Sequence, residues 1–196
     1  MAGHGAAPKW RLGLGATAFA DALSALGSKL ILRHGNALQV LRDLISETGA
    51  TSVHWNRLYD PESRTRDAGV KTALRSDGVQ AVSHNGHVLF EPWTVETKTG
   101  GYYKVYTPFW YTVRDRHPGD ALPVPTIPAP TQWPDSDVLA DWNLNHAMNR
   151  GAAIVAPYLN VGEGAAHARL DAFMDEGIGG YRDARDNLAK NGTSLL

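Results

Sequence analysis

The chain contains no cysteine, which excludes disulfides and thiolate metal sites. It lacks charge of either sign in excess: 19 basic and 20 acidic residues leave a net charge of −1. Nothing in that balance favours nucleic-acid binding by the chain as a whole. No apolar run is long enough to span a bilayer. The first eight residues, MAGHGAAP, have neither the basic start nor the apolar centre of a signal peptide. The expectation is a cytoplasmic protein with no membrane partner. Internal repeats and low-complexity tracts are missing too. Several chemical signatures are also absent: HExxH, a glycine-flanked serine elbow, and the upstream glycine that would make residues 97–101 (TKTGG) a phosphate loop. His84 and His87 have a spacing seen at some metal sites, but no carboxylate is placed to complete a zinc sphere. No catalytic residue and no metal ligand is assigned.

What is present alternates. Residues 14–26 have apolar side chains at helical spacing and stop at Gly27. Residues 29–32 (KLIL) form a short continuous apolar run, the mark of a buried parallel strand. Asn36 is placed to cap a helix over Ala37–Thr48, which Gly49 ends. Residues 52–56 read as the next strand, Pro61 opens a helix running to Ser76, and residues 79–83 read as the third strand. Helix, strand, helix, strand, helix, strand predicts an α/β fold with a parallel sheet and right-handed crossovers.

The chain then changes character. Residues 84–116 spend about two dozen positions on turns and aromatics before a helix can begin, a length that marks a structurally committed loop. Pro92 and Pro108 fix its direction, and Gly100 with Gly101 permits a tight reversal. Trp93, Tyr102, Tyr103, Tyr106, Phe109, Trp110 and Tyr111 are expected to bury its apolar surface. Residues 117–134 hold six prolines and read as an extended linker. Residues 135–160 are weakly patterned, with Trp133, Trp142, Ile154 and Tyr158 as docking candidates. Residues 163–176 read as a helix, and a short helical turn follows over residues 181–186.

Four of these stretches carry a resemblance. FEPW followed by TKTGG, a tyrosine and KVYTPFW resembles the loop that closes the N-terminal α/β domain of DNA photolyases and cryptochromes. Residues 27–35 resemble that family's third strand. Residues 55–59 (WNRLY) with residues 64–67 (RTRD) resemble its fourth strand and next helix. Residues 180–186 and 192–194 resemble the entry to its flavin-binding helical domain. The motifs stand in family order from Trp10 to Leu196.

The resemblance implies an incomplete Rossmann-like parallel sheet, with three strands present and the family's first two missing. It divides the chain into a partial α/β domain (1–116), an interdomain linker (117–160) and the start of a helical FAD-binding domain (161–196). On this reading the chain is an internal stretch of a larger protein. The absent strands would leave a gap between residues 29–32 and the other pair. That gap predicts marginal stability, or a sheet whose first strand has closed up.

Tyr181, Thr193 and Ser194 match family positions that contact FAD, the last two through hydroxyls and backbone N–H groups on the pyrophosphate. The bland alternative is a helix cap. Glu62 and Ser63 stand where folate-binding members place an asparagine–glutamate pair for an antenna pterin. The departure makes a deazaflavin antenna, a flavin antenna or none as open as a folate one. Asp60, Pro61 and Glu62 otherwise read as an ordinary helix start. Arg57, Arg64 and Arg66 read as a solvated face pairing with Asp60, Glu62 and Asp67.

Three functions follow as expectations. The first is a fragment of a DNA photolyase, in which light-excited reduced FAD splits pyrimidine dimers, with damaged DNA met through a domain not present here and the fragment inactive alone. The second is a fragment of a cryptochrome photoreceptor. The third is a free-standing α/β module binding a nucleotide or a protein.

Overall fold

In the computed structural model of the protein, residues 4–187 are described. They divide into two compact units: residues 33–125 with 132–134, and residues up to 32 with 126–131 and from 135 onward.

The first unit is built on a helix–strand–helix–strand nucleus. Helix α2 spans Ala37–Thr48 and begins where Asn36 Oδ1 accepts the N–H groups of Leu38 (3.1 Å) and Gln39 (3.3 Å). It ends at Gly49, whose φ of 67° is left-handed. Strand β1 (Ser52–Asn56) follows. Helix α3 (Pro61–Ser76) starts with Pro61 in its first turn and Asp60 as its cap. Strand β2 is Gln80–His84, displaced by one residue from the stretch expected. The strands run parallel, with Ser52 opposite Gln80 and Asn56 opposite His84. One sheet face carries Val53, Trp55 and Ala81, packed with Leu38, Leu41 and Ile45 of α2 and Val70 and Leu74 of α3. Leu74 is completely buried and anchors this small core. Beyond β2, Gly86 sits so close to Asn56 that a Cβ there would meet its side chain at 2.5 Å.

The third strand expected at residues 29–32 does not form, and among the described residues the sheet has two strands. The apolar run is half-buried but irregular. A strand needs a neighbouring backbone, and none is offered there. Instead the Leu32 N–H donates to Ser136 Oγ (2.9 Å), and the Leu32 carbonyl accepts the Asp137 N–H (2.8 Å). Both backbone polar groups of Leu32 are thus satisfied outside a sheet.

The segment after β2 is ordered as a turn at Pro92–Thr94 and a helix α4 at Tyr106–Val113. Gly100 and Gly101 make the reversal, both with φ above 80°. Its aromatics are not buried as expected: Tyr102 is 76% exposed, Tyr106 70% and Trp93 58%. Some pair with other rings instead, Tyr106 lying nearly parallel to Trp110 at 6.4 Å.

The second unit is helical and thin. Helix α1 covers Ala6–Ala25 and buries only Trp10. It starts earlier than the pattern suggests, at Ala6, and stops near Gly27, which is left-handed. Helix α5 (Arg150–Val155) is short. Helix α6 (Glu163–Ala172) runs into a wide turn at Phe173–Gly177, and α7 is Tyr181–Ala184. Ile154 and Tyr158, expected to dock, are exposed. Among the described residues no helix is long and apolar enough to cross a membrane.

Candidate functional site

A cleft of about 640 Å³ opens at the carboxyl ends of the two strands. That is where open parallel sheets receive ligands. Strand β1 delivers Trp55, and its extension delivers Arg57 and Tyr59, every second residue pointing the same way. Helix α3 adds Arg64, Asp67 and Lys71, β2 adds Ser83, and the following loop adds Trp93.

Arg57 organises this cleft. One guanidinium nitrogen is bonded to Glu91 Oε1, and the other donates to the Ser83 carbonyl (2.8 Å). Its charge also lies 5.6 Å from the centre of the Trp93 ring. Tyr59 donates its hydroxyl to the second Glu91 oxygen (2.9 Å). Burial, and then that bond to a carboxylate, raise the Tyr59 phenol above its ordinary range. Lys71 Nζ donates to Ser83 Oγ (3.0 Å). Among the described residues the Arg64 side chain has no ion-pair partner. The cleft therefore combines two indole side chains with cationic and hydroxyl groups, which suits a flat ring bearing negative charge.

Glu62 and Ser63 do not line this cleft. They sit in the first turn of α3, where the Ser63 N–H donates to Asp60 Oδ1 (2.8 Å). That N–H, and then the Ser63 hydroxyl, hold the Asp60 carboxyl below the usual carboxylate range. Arg57 pairs with Glu91 rather than with the α3 acids, whereas Arg66 does pair with its neighbour Asp67 (2.7 Å). Tyr181 opens α7, is 42% exposed and stands edge-on to Phe173 at 5.8 Å. Thr193 and Ser194 lie outside the described residues. Tyr181 is thus the one residue of the flavin set that lies among the described residues.

Sequence reading missed Trp55, Tyr59, Lys71 and Glu91 as a group. The alternation of Trp55, Arg57 and Tyr59 was a usable signal. The Arg57–Glu91 pairing, across 34 residues, was not. It also missed His54 and His84, whose Nδ1 and Nε2 approach to 2.9 Å. Their ring centres are 5.2 Å apart with planes 14° from parallel, the separation of two rings meeting end to end through one N–H···N bond.

Residues 2–130 match the profile of the DNA photolyase family. This chain belongs to the DNA photolyase family. It is 41% identical over 194 residues to the deoxyribodipyrimidine photo-lyase of Agrobacterium fabrum, covering 98% of this chain and 40% of that protein. It is 36% identical to the enzyme of the same name from Halobacterium salinarum, covering 90% of this chain and 38% of the relative. Cryptochrome-2 of Arabidopsis thaliana is 29% identical, over 98% of this chain and 32% of its own length. The crystal structure of a bacterial class III photolyase from Agrobacterium tumefaciens superimposes with a TM-score of 0.91 at 41% identity, over 98% of this chain and 40% of that one. The chain thus spans about 40% of the bacterial photolyase relatives it matches, and it shares the fold of the photolyase N-terminal region.

Proposed function

We propose that this chain is the α/β portion of a blue-light, FAD-dependent photolyase acting on pyrimidine dimers in DNA, and that it is inactive by itself. The observation that carries this is the continuous 98% coverage by 40% of a photo-lyase at 41% identity. FAD would supply the electron transfer; Tyr181, with Thr193 and Ser194, would touch it only alongside residues from the rest of such a protein. Damaged DNA is the partner of the whole assembly.

In the same reading the cleft at the strand ends holds the antenna chromophore. Trp55 and Trp93 line its aromatic side, while Arg57, Arg64 and Lys71 provide the positive side. This moves the antenna from Glu62 and Ser63, which serve as the start of α3. Such a group would absorb light and pass the excitation on; the chain's own residues bind and orient it.

The test is direct. The purified 196-residue chain is assayed for light-dependent repair of dimer-containing DNA and for bound flavin absorbance. Neither is expected. Grafting the chain in place of the matching 40% of the Agrobacterium relative is expected to restore both. Repair by the chain alone, or a graft that holds flavin without repairing, overturns the reading.

A further inference from the structure

Strand β2 ends at His84, and the chain leaves it through Asn85 and Gly86. Residues 84–87 are all exposed. Asparagine is a thermolabile residue, and most so before glycine, which has no Cβ to hold its nitrogen away from the side-chain amide. The other asparagines among the described residues all precede a residue that carries a Cβ. A second such pair in the sequence, Asn191–Gly192, lies outside the described residues.

Hydrogen bonding sets Asn85 apart from its counterparts. The Asn36 side chain is held by the N–H groups of Leu38 and Gln39, and Asn143 Nδ2 donates to the Asp141 carbonyl (3.0 Å). After Asn56, the next backbone nitrogen is committed, the Arg57 N–H lying on the His84 carbonyl (2.9 Å). Among the described residues, neither the Asn85 carboxamide nor the Gly86 N–H has a hydrogen-bond partner. Electrophile and nucleophile are thus both free, in successive residues. The glycine is also fixed by its surroundings: a Cβ at Gly86 would meet Asn56 Cγ at 2.5 Å. The fold therefore keeps the pair as it stands.

We propose that Asn85–Gly86 is a site of spontaneous deamidation, and that its product loosens the chain where it leaves β2. The step uses two successive residues and water, so it is independent of the photolyase reading and of any residue beyond this chain. The Gly86 nitrogen gives its proton to hydroxide and bonds to Asn85 Cγ. The Cγ–Nδ2 bond breaks, and the nitrogen takes a proton from water and leaves as ammonia. One water then opens the cyclic imide. Opening at Cγ gives aspartate; opening at the main-chain carbonyl gives isoaspartate, whose backbone is longer by one methylene. Either product carries a carboxylate between His84 and His87. Beyond that point lie Glu91 and Trp93, which Arg57 holds to the sheet while also gripping the Ser83 carbonyl. Extra main-chain length between Ser83 and Glu91 relaxes that grip.

The intact chain is aged at neutral pH and body temperature, then digested and mapped by mass spectrometry, with isoaspartate marked by enzymatic methylation. Most of Asn85 is expected to convert while the other described asparagines stay intact. Isoaspartate should exceed aspartate, and the rate should be no slower than in a synthetic peptide of residues 80–91. The work is done with Asn191→Gln throughout, which removes the second Asn–Gly pair from the charge readout. The aged fraction, separated by its added negative charge, is expected to melt below the fresh chain. Asn85→Gln keeps a neutral amide but would have to close a larger ring. It is expected to abolish both the conversion at position 85 and the fall in Tm, with unchanged circular dichroism. Asn85 remaining intact while the free peptide converts overturns the site. An aged fraction that melts with the fresh chain overturns the loosening, as does an equal fall in Tm on ageing Asn85→Gln.

Discussion

Residues 37–84 and residues 85–116 lie side by side in one unit, and their apolar content has opposite fates. The earlier stretch has few aromatics, yet Val70, Leu74 and Ala81 are buried. The later one is crowded with tyrosine, tryptophan and phenylalanine, yet Val113 is its buried hydrophobic residue. The difference is periodicity. In the nucleus, helical and strand spacing bring small and medium side chains to one face together, where helix can lie on sheet. In the loop the large rings meet one another or an arginine rather than a core: Tyr103, Tyr106, Phe109 and Trp110 pair among themselves, while Trp93, Tyr111 and Phe90 lie against Arg57, Arg114 and Arg116. Their hollow, about 710 Å³ between Phe90, Tyr103, Phe109 and Val113, remains open. Apolar content alone does not make a core; alignment does.

The sharpest way to break this contrast is truncation on both sides of it. Leu74→Ala should lower the unfolding free energy by about 3 kcal/mol, because the site is sealed and cannot refill. Trp110→Ala removes far more surface but should cost under about 1 kcal/mol, being 46% exposed. Urea unfolding of both variants decides it; equal losses would erase the distinction. Next is the connection between the regions. Arg57→Ala should cost about 2 kcal/mol by freeing Glu91 and the Ser83 carbonyl together. Arg57→Lys should recover only part, since one ammonium cannot reproduce the forked geometry. Then come the caps. Asn36→Ala should cost about 1 kcal/mol, with the loss seen as reduced helical ellipticity on heating.

The smallest expected effect is on acid tolerance. Asp60 is lowered by the Ser63 N–H, and Asp77 by its hydrogen bond from Arg42. Both titrate lower when folded than when unfolded. The stability they add is therefore complete above the ordinary aspartate range, about pH 4, and drains as pH falls through the lowered folded values. Asp60→Asn keeps a cap acceptor without the charge, so it should flatten the acid limb of a Tm-against-pH curve. An unchanged slope would deny Asp60 that part.

Local signals read the nucleus well. Asn36 and Gly49 bound α2, Pro61 opens α3, and the strand at residues 52–56 stands where it was expected. What failed depends on partners that no local window contains. The run at residues 29–32 has a strand's composition, but a strand exists only beside another. Aromatic richness said nothing of shared orientation. For the site, the strand ends could be located, and the alternation of Trp55, Arg57 and Tyr59 lay in plain view. Glu91 and Trp93, which complete the cleft, come from beyond α3 and β2 and were not visible before the chain was folded. Glu62 and Ser63 were placed by resemblance, whereas the local geometry uses their neighbour Asp60 for capping.

The hub at Arg57 also orders events in time. The nucleus joins residues close in the chain, so its closure entropy is modest and it can assemble early. Arg57 can grip the Ser83 carbonyl only after β1 and β2 have met, and it can hold Glu91 only once the chain has turned back beyond β2. The aromatic segment is therefore fastened last, and on unfolding it is the first to let go.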